Sequence, residues 1–444
     1  MAKHPSFMAV TGALCAFAAV WVRGADGTGD EAVRALAEQN RKLQEQLQAQ
    51  QKTIENLSAQ MDEMRRASER QGRELQDLQQ AGGAAAVPAP DAGEARLRIS
   101  GEAGMAFFKT GSAGQFPHSE FRIDDAKLLV EAKVLENVYA VSEIDLLTRE
   151  TTDDSLYLAT LFAEFEDLGA RWGAPGALNV RVGRFAIPFG EEYQVRGVVE
   201  NPLISHSVAD VWGFDNGVET YGGLHGFTYV AALQNGGANV LHDFNSDKSV
   251  AARVGYAPAS WLRVSASAMR TGDLSVKSDT LSAVWFGNAF FRSIGGAATT
   301  STFRANLYEF DATGRWRGGN LTAMAGWADY DDDDTAADNS RRLSYWSVEG
   351  VQDIGDGLYG VARYSEVRAP KGYPLAGLGN SGTFFYNPFA ALTDDLSRLS
   401  LGLGYRIGPP LVLKLEYSRE RGRQVNGAER DKEDMLSTEI GMKF

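Results

Sequence analysis

The sequence predicts an all-β fold: a sixteen-stranded antiparallel transmembrane β-barrel preceded by an α-helical coiled coil. Three observations predict it. From residue 97 onward apolar and polar side chains alternate with a period of two, the pattern of strands that show different media on their two faces. The connections between these runs are alternately short and long, as in a closed meander of hairpins. Ahead of them, heptads repeat without a slip from residue 33 to residue 78, the period of helices that wind around one another.

The elements follow in chain order. Residues 1–24 read as a secretory signal peptide: Lys3 and His4, then the apolar run "MAVTGALCAFAAVWV", then small residues, with Val22 and Gly24 placed for a cut before Ala25. Cys15 is the one cysteine, so the exported chain is expected to hold no disulfide. Residues 25–32 form a short mature N-terminus, and residues 33–80 the coiled coil. Its apolar seam is Leu36, Leu43, Leu47, Ile54, Leu57, Met61, Met64, Leu75 and Leu78. Asn40, Gln50, Ser68 and Gln71 interrupt the seam, and such polar a and d residues fix register and strand number. An apolar stripe needs a partner, because a lone helix is marginal in water, so an oligomer is expected. Residues 81–95, "AGGAAAVPAPDAGEA", are an Ala/Gly/Pro linker.

The barrel is expected over residues 96–444. Its candidate strands are 97–109, 121–135, 138–149, 155–167, 178–187, 215–224, 226–235, 248–257, 261–272, 303–317, 320–331, 343–354, 358–369, 397–407, 411–422 and 434–444. Two of them show the two-faced pattern plainly. Leu399, Leu401, Leu403, Tyr405 and Ile407 oppose Ser400, Gly402, Gly404 and Arg406, while Leu411, Leu413, Leu415 and Tyr417 oppose Lys414, Glu416 and Ser418. The last run ends on Phe444. A closing strand must be complete, and its terminal aromatic belongs in an interfacial girdle.

Composition agrees. Gly is frequent (48) and Pro sparse (13), aromatics are 10% and mean hydropathy is −0.26. A spanning β-strand needs only about ten residues and shows lipid every second side chain, so mean hydropathy stays low. The net charge of −14 excludes the basic surface of a nucleic-acid binder. There is no G-x-S-x-G, no zinc-ligand spacing and no phosphate loop, so neither an enzyme, a metal nor a cofactor is expected. "DFNSDK" starts like a calcium loop with Asp243, Asn245 and Asp247 but lacks the later Gly and Glu.

Two stretches, "LNVRVGRFAIPFGEEYQ" and "YVAALQNGGANVLHDFNSDKSVAARVGYAP", resemble the phosphate-selective porin family over residues 96–444. That resemblance implies a homotrimeric outer-membrane channel for small hydrophilic or charged solutes, anions such as phosphate among them. It also implies that the third loop, residues 188–214, folds inward and narrows the pore. The residues expected at that constriction are Arg181, Arg184, Glu191, Glu192, Arg196, Glu200, His206, Asp210, Arg253 and Arg263. Arg181, Arg184, Arg253 and Arg263 are expected to form a basic column facing the acidic loop. The terminal Phe444 is similar to the signal read by the barrel-insertion machinery. Outer-membrane lipid and lipopolysaccharide are the further expected partners, with the coil in the periplasm. The alternative is a structural tether joining the outer membrane to the cell wall through the coil.

Overall fold

The computed structural model describes residues 96–147, 156–237, 241–278, 290–291, 300–379 and 392–444. The expected signal peptide, coiled-coil seam and linker lie outside these residues. The strands are β1 (Leu97–Thr110), β2 (Glu120–Leu135), β3 (Val138–Leu147), β4 (Tyr157–Phe165), β5 (Asn179–Ala186), β6 (Phe214–Leu224), β7 (Phe227–Gln234), β8 (Ser249–Ala259) and β9 (Leu262–Arg270). They continue as β10 (Leu274–Ser275), β11 (Thr302–Trp316), β12 (Gly319–Asp332), β13 (Arg341–Gly355), β14 (Leu358–Tyr373), β15 (Thr393–Gly408), β16 (Leu411–Gln424), β17 (Glu429–Arg430) and β18 (Met435–Lys443). β10 and β17 are two-residue pieces that extend the pairing of β11 and β16 into the loops. The other sixteen are the predicted runs, with ends displaced by at most four residues.

Each long strand pairs antiparallel with its neighbours in sequence, and β18 pairs with β1. The sheet is therefore a closed ring. Closure leaves no row of unpaired backbone groups, which hydrocarbon cannot satisfy. The closing seam runs to the last residue: Phe444 and Gly101 exchange both backbone hydrogen bonds at 3.0 Å. A Cβ on Gly101 would lie 2.6 Å from the Phe444 ring, so glycine there makes room for the terminal aromatic. Leu97 and Phe444 lie at the end of the barrel that carries the short turns. One such turn is His225–Gly226, with φ of 51° and 83°, the two-residue form whose twist matches the strands it joins. The β4–β5 connection at the same end is longer and carries a 3-10 turn over Leu168–Trp172.

The distribution of polarity is inverted relative to a water-soluble barrel. On β16, Lys414, Glu416 and Ser418 are buried in the interior, whereas Leu413, Leu415 and Tyr417 are 38–46% exposed on the outside. On β15, Arg398 and Ser400 are buried while Leu399, Leu401 and Leu403 face out. Apolar outside and charged inside is the arrangement a bilayer demands.

Candidate pore constriction

The chain leaves β5 and turns into the barrel. Ile187 and Phe189 are buried against the inner wall, beside Ala251, Met269, Phe303 and Leu307. Gly190 then takes a φ of 70°, and a Cβ there would collide with the Glu309 carboxylate. Its N–H donates to Ser267 Oγ at 3.0 Å, and its carbonyl accepts from the Arg253 guanidinium. A residue without a side chain, gripped from both sides by β8 and β9, sets the direction in which the loop enters.

The loop closes on itself. After a 3-10 turn over Glu192–Val195, the Glu192 carboxylate accepts the Ser207 N–H at 2.9 Å and its hydroxyl at 2.6 Å. Arg196 pairs with buried Asp210 and lies over the Trp212 ring at 4.2 Å. Glu200 pairs with Lys443 on β18.

The crest of the loop is fastened to the far wall through its backbone. Glu416 accepts the N–H groups of Ile204 and Ser205 at 2.7 and 2.8 Å. Arg363 donates to the Ser205 carbonyl at 2.7 Å and to Asn201 Oδ1 at 3.1 Å. Tyr359, Lys414 and Arg398 donate to the carbonyls of Pro202, Leu203 and His206, each at 3.0 Å, and Val208 donates its N–H to Ser365 Oγ at 3.1 Å. These wall side chains come from β14, β15 and β16. They satisfy backbone groups that an irregular segment would otherwise leave unpaired.

Behind this crest the interior is apolar. Val208, Ala209 and Val211 join a buried cluster with Phe290, Phe291, Phe303, Tyr330, Tyr345, Val367 and Tyr373. Open volume lies on both sides of the loop. A space of about 410 Å³ lies between it and the wall of β1, β2, β3, β16 and β18. Its acidic lining is Glu102, Asp124, Asp125, Glu143, Asp145, Glu200 and Glu439, and its basic lining is Lys127, Arg196, Lys414 and Lys443. The cations are tied down: Lys127 to Glu102 at 2.5 Å and Glu143 at 3.5 Å, Lys414 to Glu439 at 2.8 Å, Lys443 to Glu102 at 3.4 Å. Seven carboxylates against four cations leave this space negative by formal charge. A second space, of about 350 Å³, touches Glu191, Glu192, Arg263, Asp311, Arg315, Glu349 and Arg363 and is nearly balanced.

The expected residues divide accordingly. Glu191, Glu192, Arg196, Glu200, His206 and Asp210 lie in the folded-in loop, and Arg253 and Arg263 reach it, at 3.6 and 3.1 Å from Glu191. The four-arginine column does not form. Arg181 stays on the wall, paired with Glu164 at 2.9 Å and Glu219 at 3.2 Å and stacked over Tyr221. Arg184 falls on the opposite alternation face from Arg181 and is 3% exposed, held by the Leu158 carbonyl at 3.2 Å and the Tyr157 hydroxyl. The anchors Tyr359, Arg363, Ser365, Arg398, Lys414 and Glu416 were not among the expected site residues. Lys414 and Glu416 were nonetheless visible as inward polar positions on a lipid-facing strand. The "DFNSDK" carboxylates are engaged locally, Asp243 with Lys248 Nζ at 2.6 Å and Asp247 with the Asp273 N–H at 3.1 Å.

No family model matches the chain, and no curated protein matches it. Solved structures do. The outer membrane channel DcaP of Acinetobacter baumannii superposes with a TM-score of 0.53 at 10% identity, covering 78% of this chain and 97% of that one. OprB of Pseudomonas putida gives 0.51 at 11% identity, over 78% and 94%. OmpT, an outer membrane protein of Vibrio cholerae, gives 0.50 at 13% identity, over 78% and 97%. The shared feature is the fold, a closed antiparallel β-barrel.

Proposed function

We propose that this chain is a passive diffusion channel of a bacterial outer membrane that admits small hydrophilic solutes and favours cations. The observation that carries the reading is the folded-in loop. It crosses the lumen of a closed barrel, is fastened to β14–β16, and leaves an acid-lined space beside β1–β3. A pore selects by the few charges at its narrowest point, and low-dielectric walls concentrate their field. The excess of carboxylates draws cations and repels anions, which runs against the phosphate preference implied by the sequence resemblance. The loop's placement against both walls argues against a lumen threaded by a partner protein.

The chain is further read as a homotrimer, consistent with the heptads of residues 33–78, whose seam needs partners. The short-turn end, with Leu97, faces the periplasm in this reading, and the heptad segment is read as periplasmic. Tethering to the cell wall would be a second task of that coil.

The test is electrical. The full chain, reconstituted in a planar bilayer under a potassium chloride gradient, should give stepwise conductance with a reversal potential on the cation-selective side. Inserted, heat-modifiable barrels that pass no current would overturn the channel reading. A reversal potential on the anion side would overturn the cation preference alone.

A further inference from the structure

The geometry points to a divalent transition-metal site inside the folded-in loop, formed by Glu192, His206 and Asp210. One ligand atom from each residue lies within 4.8 Å of the other two. Small side-chain rotations bring three such atoms onto one ion at bonds of about 2.1 Å. The three residues carry no metal motif in the sequence. They meet because Glu192 holds Ser207 and so closes the loop beside His206.

Two features separate this set from an ordinary acidic cluster. One is the imidazole. With two carboxylates it makes a mixed nitrogen and oxygen donor set, which late first-row divalent ions such as zinc bind far better than magnesium or calcium do. The other is Asp210. It is 2% exposed, and its Oδ1 is buried without a hydrogen-bond donor. Its other oxygen faces Arg196, whose guanidinium has a second hold on the Trp212 ring at 4.2 Å. Arg196 therefore keeps a contact when a metal takes a share of the Asp210 carboxylate. Three protein ligands leave coordination positions for water, and His206 borders the acid-lined space through which an ion arrives.

The experiment measures the metal directly. The full chain in detergent is dialysed against zinc chloride, with the exposed His118, His225 and His242 first changed to Ala to remove surface binding. One zinc per chain is expected, undiminished by excess magnesium. His206→Ala should weaken binding by at least about tenfold while the barrel stays heat-modifiable. Should that variant fail to fold, Glu192→Gln serves, since its amide oxygen still accepts from Ser207. Zinc binding of unchanged stoichiometry and affinity in the folded variant, or no saturable binding in the parent, overturns the site. Dialysis needs no current, so the result stands apart from whether the barrel conducts.

Discussion

The Glu416 carboxylate on β16 accepts the backbone N–H groups of Ile204 and Ser205 at 2.7 and 2.8 Å. A wall residue near the end of the chain thus fixes the crest of a loop more than two hundred positions earlier. Charge-assisted hydrogen bonds of this kind are the strong ones. They give the loop a defined height and lean inside the lumen.

Glu416→Ala should therefore loosen the constriction. Each lost charge-assisted bond is worth roughly 1.5–3 kcal/mol before lumen water replaces part of it. The expected result is a lower melting temperature and a noisier, larger single-channel current, with the barrel still closed. Glu416→Gln keeps one acceptor oxygen and should fall between wild type and Ala. Identical current noise in all three would show that the loop is held elsewhere.

Gly190→Ala tests the point of entry. An L-residue held at a φ of 70° costs roughly 1–2 kcal/mol, and the added methyl meets Glu309. The loop should be displaced from Ser267 and Arg253, raising conductance. Unaltered conductance and melting would mean that the turn tolerates a side chain.

Charge in the passage is tested by Glu143→Gln with Asp145→Asn. Both residues line the acidic space, and Lys127 keeps its closer partner Glu102 at 2.5 Å. The reversal potential should move toward anions at low salt. At 1 M salt the Debye length is about 3 Å, so the shift should fade. A reversal potential that does not move at low salt would place the ion path away from these carboxylates.

Removing Phe444 deletes both backbone bonds to Gly101, each worth about 1 kcal/mol net, and a ring expected at the interface. The fraction of chain recovered as heat-modifiable barrel in outer membranes should drop sharply. Recovery equal to wild type would deny the residue any part in closure or assembly.

Much of this architecture was legible in the sequence because a bilayer writes it there. Lipid on one face and water on the other impose a strict period of two, and a slip of one residue would turn every charge into hydrocarbon. That constraint located all sixteen strands, set Lys414 and Glu416 inward, and placed the long loop between the fifth and sixth strands. Which residues meet across the lumen was not written locally. Arg181, Arg253 and Arg263 look alike as inward arginines, yet only the last two reach Glu191. The difference lies in the path of the loop, which is set by β8, β9 and the β14–β16 wall together. β11 makes the same point. Phe303, Ala305 and Leu307 point inward and Arg304 outward, reversing the apolar-outward pattern, because at that height the loop's Ile187, Phe189 and Val208 fill the interior. A binary pattern records which medium a face meets; only the closed barrel with its loop in place decides what that medium is at each level.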